Sequence, residues 1–354
     1  MHPTGNRPVI FGEVLFDHFP DGSRVLGGAP FNVAWHLRGF GANPLVLSAV
    51  GDDDDGREVL ERMTSWDLMT HGVQMDPTHA TGRVTASVVD GENQYEIAPG
   101  QAWDFLRAGP ASQAMSDERA GLFYHGSLAL RAGASWNTLR AIREESGAAA
   151  FVDLNLRPPW WTRDKIDWCV ATSEWVKLNE IELAELTSKP TSTTEECTEA
   201  ALALARSHTI AGLIVTRGSD GALAVLGGND VYETGAGHVE NIVDTVGAGD
   251  AFSSVVCLGI LNRWDFQSTL DRAAAFAADL CTIRGATTTD FGLYERHLAE
   301  WSKDTSAGSI RAPEQRNLYV LSLTIHGLVR AKDIELGRDA DTGGQVSYVV
   351  DQAR

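Results

Sequence analysis

The chain has 354 residues, a length that accommodates one large domain or two of ordinary size. Hydrophobic residues make up 43% of it and charged residues 22%, which excludes a disordered or collagen-like chain over most of its length. The net charge of −19, without a basic patch, argues against binding to nucleic acid, and no apolar run reaches the roughly 20 residues of a membrane span.

The N-terminal residues 1–8 contain no apolar segment that can serve as the core of a secretion signal. The four cysteines, Cys169, Cys197, Cys257 and Cys281, are widely spaced and form no Cys-x-x-Cys pair. This spacing predicts buried thiols in a reducing compartment rather than a disulfide framework or a metal site. We therefore expect a cytoplasmic protein.

Strands alternate with helices along most of the chain, which predicts an α/β fold with a parallel sheet and helices on both of its faces. Segments 13–25 and 81–97 interrupt this order with alternating polar and apolar residues, and they predict a small separate sheet. The predicted strands of the main sheet are 9–12, 44–51, 122–125, 149–155, 174–178 and 212–216. The predicted helices are 31–39, 56–66, 135–146, 180–187, 195–207, 252–261 and 269–283.

The pattern breaks after residue 301. Residues 302–317 are rich in Ser, Asp, Gly, Pro and Gln, and they predict a linker between a main domain, 1–301, and a short C-terminal piece. That piece, 318–354, contains one apolar strand, a polar loop and a Gly-Gly pair that begins a helix. A single strand cannot bury its own faces, so we expect this piece not to fold by itself.

The most informative segment is Asp-Thr-Val-Gly-Ala-Gly-Asp-Ala-Phe at 244–252. Its glycines leave consecutive backbone N–H groups accessible at the start of an apolar helix, and such a helix end attracts an anion. A carboxylate at Asp250, in the first turn, can take a proton from a hydroxyl that attacks a bound phosphate. A bare Gly-x-Gly-Asp is also an ordinary turn with a helix-start carboxylate, but the nine-residue string is far more specific.

Segment 244–252 resembles the C-terminal signature of the ribokinase-like (PfkB) carbohydrate kinases. Segment 27–34, with Gly-Phe-Gly at 39–41 and Val-Gly-Asp-Asp-Asp-Asp-Gly at 50–56, resembles the N-terminal signature of the same family. The two signatures occur in the right order, and the resemblance covers residues 8–300. Four further strings, at 95–97, 102–104, 125–128 and 153–159, are most similar to those of bacterial fructokinases.

The resemblance implies a three-layer sandwich with a central, mainly parallel sheet and a small β-sheet lid. It implies that Asp250 is the catalytic base, and that the backbone at Gly247, Ala248 and Gly249 forms an anion hole. The residues implied to bind substrate are Asp17, Gly28 and Asn32, which contact the sugar, and Arg157, which faces the sugar or a phosphate. Taken alone, Asp17 fits an exposed turn and Asn32 a helix surface equally well.

The resemblance also implies a nucleotide site for ATP. Asn179 and Glu182 match the family's Asn-x-x-Glu element, in which the carboxylate lies near Mg²⁺ or its waters; the same residues also fit a helix-capping pair. Thr216, Gly218 and Gly221 match the loop that contacts the nucleotide.

A monovalent-cation site is implied as well, with K⁺ as the candidate ion. Asp244 and the carbonyl of Val246 match part of it, and the loop 284–287 is a candidate to complete it.

Residues 318–354 resemble the start of sucrose-phosphate synthases, glycosyltransferases of the GT-B type that join UDP-glucose to fructose 6-phosphate. Segments 322–330 and 336–345 carry this resemblance, which implies that Gly344 and Gln345 contact substrates in the full enzyme. We expect a kinase fused to a glycosyltransferase that is truncated within this segment. The alternative is a degenerate C-terminal extension.

The expected activity is the ATP-dependent phosphorylation of a sugar hydroxyl, with fructose as the first candidate. Ribose, a nucleoside and 2-keto-3-deoxygluconate remain alternative acceptors, and a non-catalytic sugar-sensing domain of a fused synthase is an alternative of a different class. The partners expected are a small sugar and ATP, with no nucleic acid and no membrane. Exposed lid strands favour pairing with a second copy, so a homodimer through the lid is expected.

Overall fold

The computed structural model describes residues 7–89, 92–116, 119–208, 210–237, 239 and 241–303, which form two sheets flanked by helices. The strands are β1 (Arg7–Phe11), β2 (Leu15–His18), β3 (Arg24–Gly27), β4 (Leu45–Gly51), β5 (Val73–Asp76), β6 (Gly82–Val89), β7 (Glu92–Ile97), β8 (Ala120–His125), β9 (Ala150–Asp153), β10 (Trp175–Asn179), β11 (Gly212–Thr216), β12 (Ala222–Leu226) and β13 (Asp230–Thr234). The helices are α1 (Ala29–Gly39), α2 (Asp54–Ser65), α3 (Ala108–Met115), α4 (Gly133–Ser146), α5 (Arg163–Thr172), α6 (Glu180–Thr187), α7 (Thr194–His208), α8 (Ala248–Asn262), α9 (Phe266–Leu280) and α10 (Phe291–Trp301).

The large sheet has nine strands in the order β13-β12-β11-β10-β9-β8-β1-β4-β5. All neighbours from β11 to β5 pair in parallel, whereas β12 and β13 pair antiparallel at one edge. The predicted α/β class with a central, mainly parallel sheet is therefore confirmed. The strands β5, β12 and β13 and the helices α3, α5 and α10 had not been predicted.

Two apolar cores lie on opposite faces of the large sheet, and the buried strand β4 shows how they divide. Val46 and Val50 contribute to one core, whereas Leu45, Leu47 and Ala49 contribute to the other. This alternation is the period-two geometry of a strand, and burial on both faces explains the continuous apolar runs in the sequence. The described residues thus form a three-layer sandwich of helices, sheet and helices.

The small sheet has the order β3-β2-β6-β7, and it contains both segments that the sequence predicted as a separate sheet. Phe16 and Leu26 on its inner face are buried in the same core as Val46. The guanidinium of Arg24 on β3 bonds the carboxylates of Asp55 and Glu58, which ties this sheet to helix α2.

The parallel strands β1, β8, β9, β10 and β11 all end at the same edge of the large sheet. Ligands of open α/β sheets bind in the crevice outside these carboxyl ends. Within the described ranges, no helix is both long and apolar enough to cross a membrane. The predicted linker and the glycosyltransferase-like segment lie, except for Ser302 and Lys303, outside the described residues.

Candidate functional site

The start of α8 supplies a group of accessible backbone amides. Gly247 precedes the helix with φ of 81°, a left-handed conformation that favours glycine. A Cβ built at this position would lie 2.5 Å from Cα of Ala286, so the neighbouring loop also excludes a side chain. Ala248 donates its amide to the Thr245 carbonyl at 3.3 Å. No acceptor among the described residues engages the amides of Gly247, Gly249 or Asp250, which therefore remain available to an anion.

Asp250 lies in the first turn of α8, beside these amides. Its Oδ2 accepts a hydrogen bond of 2.8 Å from the side-chain amide of Asn32 on α1, so two residues far apart in sequence meet at one point. Although the residue keeps part of its surface exposed, the protein around its carboxyl removes water and raises the pKa of Asp250 to about 7. A carboxyl with this pKa is poised to accept a proton near neutral pH.

The residues predicted to bind the sugar lie around the β1–β2 connection and the start of α1. Asp17 on β2 comes within 3.2 Å of the Cβ position of Gly27, and burial raises the pKa of Asp17 to about 6. Gly28 has φ of 112°, and a Cβ there would lie 2.5 Å from the carbonyl oxygen of Glu13. The conformation of Gly28 and this close approach explain why the position is glycine.

Arg157 lies in the loop after β9 and is exposed, with its guanidinium donating to the Leu156 carbonyl. Glu13 lies near it and was not predicted to belong to the site. The Glu13 side chain is 4% exposed, and burial raises its pKa to about 7, an effect that the charges of Arg157 and Arg131 oppose. The only signal for Glu13 in the sequence is a carboxylate directly after an apolar strand.

The predicted nucleotide residues lie at the ends of two neighbouring strands. Asn179 and Thr216 are paired in the parallel register of β10 and β11, so they lie side by side at the sheet edge. The loop after β11 contains Gly218, with φ of 53°, and Gly221, with φ of 84°. A Cβ at Gly221 would lie 2.0 Å from the carbonyl oxygen of Thr234, so only glycine fits there.

Asn179 and Glu182 form a complete capping box at the start of α6. The side-chain oxygen of Asn179 accepts from the backbone N–H of Glu182, and the Glu182 carboxylate accepts from the backbone N–H of Asn179, each at 2.9 Å. The other Glu182 oxygen accepts from the amide of Leu156, so the carboxylate also anchors the loop after β9. Burial raises the pKa of Glu182. The helix-capping pair that the sequence also allowed is therefore present in the structure. Each Glu182 oxygen accepts one hydrogen bond and keeps a lone pair that can accept from water.

Asp244 fixes the backbone ahead of the anion-binding amides. Its carboxylate accepts from the amide of Val246 at 3.0 Å and from that of Gly285 at 2.9 Å. The predicted cation-site residues 244 and 246 and the loop 284–287 are thus brought together. Among the described residues, no group of three or more His, Cys, Asp and Glu side chains is placed to hold a metal ion.

A buried charged network that had not been predicted lies beneath the start of α8. Lys177 on β10 and Asp153 on β9 are register partners, and their Nζ and Oδ2 atoms are 2.8 Å apart. The same Oδ2 accepts from the hydroxyl of Ser253 on α8 at 2.7 Å and from that of Tyr124 on β8 at 3.4 Å. A lone lysine inside the apolar strand Trp-Val-Lys-Leu-Asn was the signal in the sequence.

His36 on α1 also positions the site. One ring nitrogen lies 2.9 Å from the carbonyl of Ala286 and the other 3.0 Å from the hydroxyl of Tyr294. Burial lowers the pKa of His36 to about 4, so the ring is neutral at physiological pH. Because Ala286 packs against Gly247, His36 supports the loop behind the accessible amides at the start of α8.

This arrangement combines a proton acceptor, an anion-binding helix start and polar groups at the carboxyl ends of parallel strands. A hydroxyl held against Asp250 can lose its proton while it attacks a phosphoryl group held by the adjacent amides. The geometry therefore suits phosphoryl transfer to an alcohol.

The chain is similar in sequence to two kinds of protein. A fructokinase of Vibrio alginolyticus is 30% identical over 308 residues, which cover 80% of this chain and 95% of that protein. A sucrose-phosphate synthase 4 of Arabidopsis thaliana is 52% identical over 54 residues, and a probable sucrose-phosphate synthase 5 of Oryza sativa subsp. japonica is 67% identical over 39 residues. These two matches cover 15% and 11% of this chain, and 4% of each synthase.

Solved structures share the fold. The fructokinase with bound ATP from Xylella fastidiosa superposes with a TM-score of 0.71 at 22% identity, covering 84% of this chain and 99% of that one. A double mutant of the fructokinase from Vibrio cholerae O395, in a fructose, ADP and potassium ion bound form, gives 0.69 at 24% identity, covering 82% and 98%. The Arabidopsis thaliana ribokinase complexed with ribose and ATP gives 0.70 at 18% identity, covering 83% and 99%. The predicted ribokinase-like architecture is confirmed.

The family model for the pfkB family carbohydrate kinases matches residues 9–290, most of the chain. The match includes both glycine-rich signatures, the helix start with Asp250 and the strand ends that form the site. The chain belongs to the pfkB family of carbohydrate kinases, and it is a sugar kinase that is similar over most of its length to fructokinases.

Proposed function

We propose that this sugar kinase transfers the γ-phosphoryl group of ATP to the primary hydroxyl of fructose, giving fructose 6-phosphate. The observation that carries the proposal is the Asp250 carboxyl, with its pKa near 7, held by Asn32 beside free amides at the start of α8. The similarity to a fructokinase over 80% of the chain supports fructose as the acceptor.

In the proposed mechanism, Asp17, Gly28 and Asn32 hold the sugar so that its primary hydroxyl faces Asp250. The ionised Asp250 accepts the hydroxyl proton as the oxygen attacks phosphorus, and the leaving group is ADP. The free amides of Gly247, Gly249 and Asp250 stabilise the charge on the transferred phosphoryl oxygens, whereas the amide of Ala248, also predicted for the anion hole, donates to the Thr245 carbonyl. No covalent intermediate with the protein is required, because positioning and charge stabilisation supply the catalysis.

The nucleotide is proposed to lie along the ends of β10 and β11, against Asn179, Thr216, Gly218 and Gly221. Arg157 is the candidate contact for the sugar or for a phosphate. Glu182 fits a water-mediated role toward Mg²⁺, since hydrogen bonds already engage both oxygens but leave lone pairs. Mg²⁺ bound with the nucleotide would neutralise phosphate charge.

K⁺ is the proposed monovalent ion, and the site is formed by the Val246 carbonyl and the loop 284–287. The Asp244 carboxylate accepts a hydrogen bond from the backbone N–H of Gly285, so it fixes this loop beside residues 244–246. The potassium ion in the Vibrio cholerae fructokinase structure supports the choice of ion.

The proposal is tested with purified full-length protein, ATP and a panel of sugars comprising fructose, ribose, a nucleoside and 2-keto-3-deoxygluconate. We expect fructose to give the highest kcat/KM in a coupled assay of ADP release. Asp250→Asn should lower kcat by about 10²–10⁴ with little change in ATP affinity. Asp164→Asn, an exposed carboxylate on α5, is the matched control and should behave as wild type. A preference for another sugar would overturn the substrate assignment, and an active Asp250→Asn would overturn the base.

The same measurement separates an enzyme from a sugar-sensing domain. A chain that binds fructose but does not phosphorylate it at any ATP concentration would be a sugar sensor. Retention of Asp250 in the site described above supports the enzyme.

Residues 318–354 support a metabolic link. The short matches to sucrose-phosphate synthases support the proposal of a fused segment of that type, whose full enzyme would use the product proposed here as its acceptor. We propose that the kinase supplies fructose 6-phosphate to this partner activity. Cutting the chain near Ser302 should leave kinase activity unchanged; loss of phosphorylation would make the tail part of the kinase.

A homodimer through the small sheet is proposed because the strand β3 forms one edge of it, with Val25 39% exposed. Light scattering at micromolar concentration tests this, and a monomer would refute it. A cytoplasmic location is proposed from the four cysteines, all of which are free thiols.

A further inference from the structure

The buried network beneath α8 contains a full positive charge close to the anion-binding amides. A Cβ built on Gly249 would lie 3.6 Å from Nζ of Lys177. Apart from the backbone of α8 and the adjacent residues, no other heavy atom of the described residues lies within 4 Å of that position. Gly249 itself is exposed, whereas the side chain of Lys177 is only 6% exposed. The ammonium therefore lies directly behind the backbone of the anion-binding turn.

The partner residues hold this ammonium in place. Asp153 Oδ2 accepts from Lys177 at 2.8 Å and from Ser253 at 2.7 Å, and the Ser253 hydroxyl also contacts the Gly249 carbonyl at 2.9 Å. The network thus links the ends of two strands to the first turn of α8. A buried ion pair is weak evidence for stability, because removing both charges from water offsets much of their attraction. Its position under the turn points to another role.

We propose that Lys177, fixed by Asp153, is the buried positive charge of the anion hole and acts on the transferred phosphoryl group across Gly249. Lys177 does not touch the substrate in this proposal, because the backbone of the turn lies between them; it is a positioning residue whose charge acts across that backbone and on the titration of Asp250. The absence of a side chain at Gly249 keeps the distance between the ammonium and the bound anion short. The inference rests on the proposed function, in which Asp250 is the base and the turn binds phosphate.

Asp153 and Lys177 also affect the pKa of Asp250. Asp153 raises the pKa of Asp250 and Lys177 lowers it, so a change in Lys177 alone should move the titration of the base upward. The other titratable groups that face Asp250, Asp153 or Lys177 from the neighbouring elements are Glu13, Tyr124, Glu182 and Cys257.

The test compares Lys177→Met with the double variant Asp153→Asn/Lys177→Met in the full chain, using the sugar that the panel identifies. Lys177→Met leaves the buried Asp153 carboxylate without its cationic partner, so it should lower thermal stability. The double variant separates this loss of stability from a loss of the charge that serves the reaction. The double variant is neutral and nearly isosteric, so it should recover the melting temperature.

If the charge of Lys177 serves the reaction, the double variant should recover stability and still show a kcat about 10- to 100-fold below wild type, with a smaller change in the KM values. In Lys177→Met, provided that it folds, the acid limb of the kcat/KM profile should also move to higher pH. A double variant with wild-type kcat would overturn the proposal and leave the pair a purely structural one. Asp250→Asn, assayed in parallel, tests the base and the proposed function independently.

Discussion

The hydrogen bond from Asn32 to Asp250 offers a quantitative test of the site. Asn32 is 5% exposed, and its amide donates to Asp250 Oδ2 at 2.8 Å. This bond stabilises the ionised carboxylate and lowers the pKa of Asp250, against the larger effect of burial. Asn32→Leu removes the donor while it keeps most of the side-chain volume.

The expected shift follows from the strength of the bond. A hydrogen bond to a charged group contributes about 1.5–3 kcal/mol, and one pKa unit corresponds to about 1.4 kcal/mol, so the pKa should rise by about 1–2 units. With a starting pKa of about 7, the ionised fraction of Asp250 at pH 7 should fall about 5- to 50-fold. The activity of the variant should return as the pH rises toward 9.

The assay is the pH profile of kcat/KM for wild type and Asn32→Leu. Since Asn32 is also a proposed sugar contact, part of the loss will not depend on pH, and the diagnostic is the midpoint of the acid limb. Asn32→Asp is the second variant, in which a like charge beside Asp250 should move the midpoint further. An unchanged midpoint in both variants, with Asp250→Asn inactive, would show that the bond does not control the base.

Three further predictions address stability and binding. Because burial raises the pKa of Asp250 in the folded protein, its stabilising contribution is lost as pH rises through about 7. Asp250→Asn should therefore be more stable than wild type at pH 8, by at most about 4 kcal/mol, and equally stable near pH 3. Equal melting temperatures of the two proteins at both pH values would contradict this. Gly247→Ala should destabilise the fold by about 1–3 kcal/mol and reduce turnover, because its Cβ meets Ala286, whereas Gly109→Ala in α3 has open space and should be neutral or stabilising by thermal melting. Asp17→Ala should raise the KM for the sugar far more than that for ATP, and equal effects would remove Asp17 from the sugar site.

The elements that could be predicted from sequence are those with strong local patterns. The buried strands near 9–12, 44–51 and 212–216 were predicted closely, because continuous apolar runs of this length require a sheet covered on both faces. The edge strand β13 was not predicted, since it is largely exposed and carries no such run; its neighbour β12 was also missed, although its five apolar residues are mostly buried. Helix α8 begins at Ala248, inside the glycine-containing string that predicted a helix start with Asp250 in its first turn, and four residues before the apolar stretch 252–261.

The sequence by itself determined the kind of protein. Two glycine-rich signatures in the right order identified the family, and the string 244–252 predicted a helix start suited to an anion, because glycines leave the backbone amides there accessible. The capping box of Asn179 and Glu182 was also readable, since both of its bonds lie within four residues.

Only the tertiary structure decided which side chains meet. Asn32 and Asp250 are separated by 218 residues, His36 and Ala286 by 250, and Asp153 and Lys177 by 24. These pairs depend on the parallel register of β9 and β10 and on the packing of α1 against α8. A local pattern shows whether a side chain faces inward, whereas the partner of a buried polar group is set by elements distant in sequence. The charge of Lys177 beneath the start of α8 therefore became visible only in the folded chain.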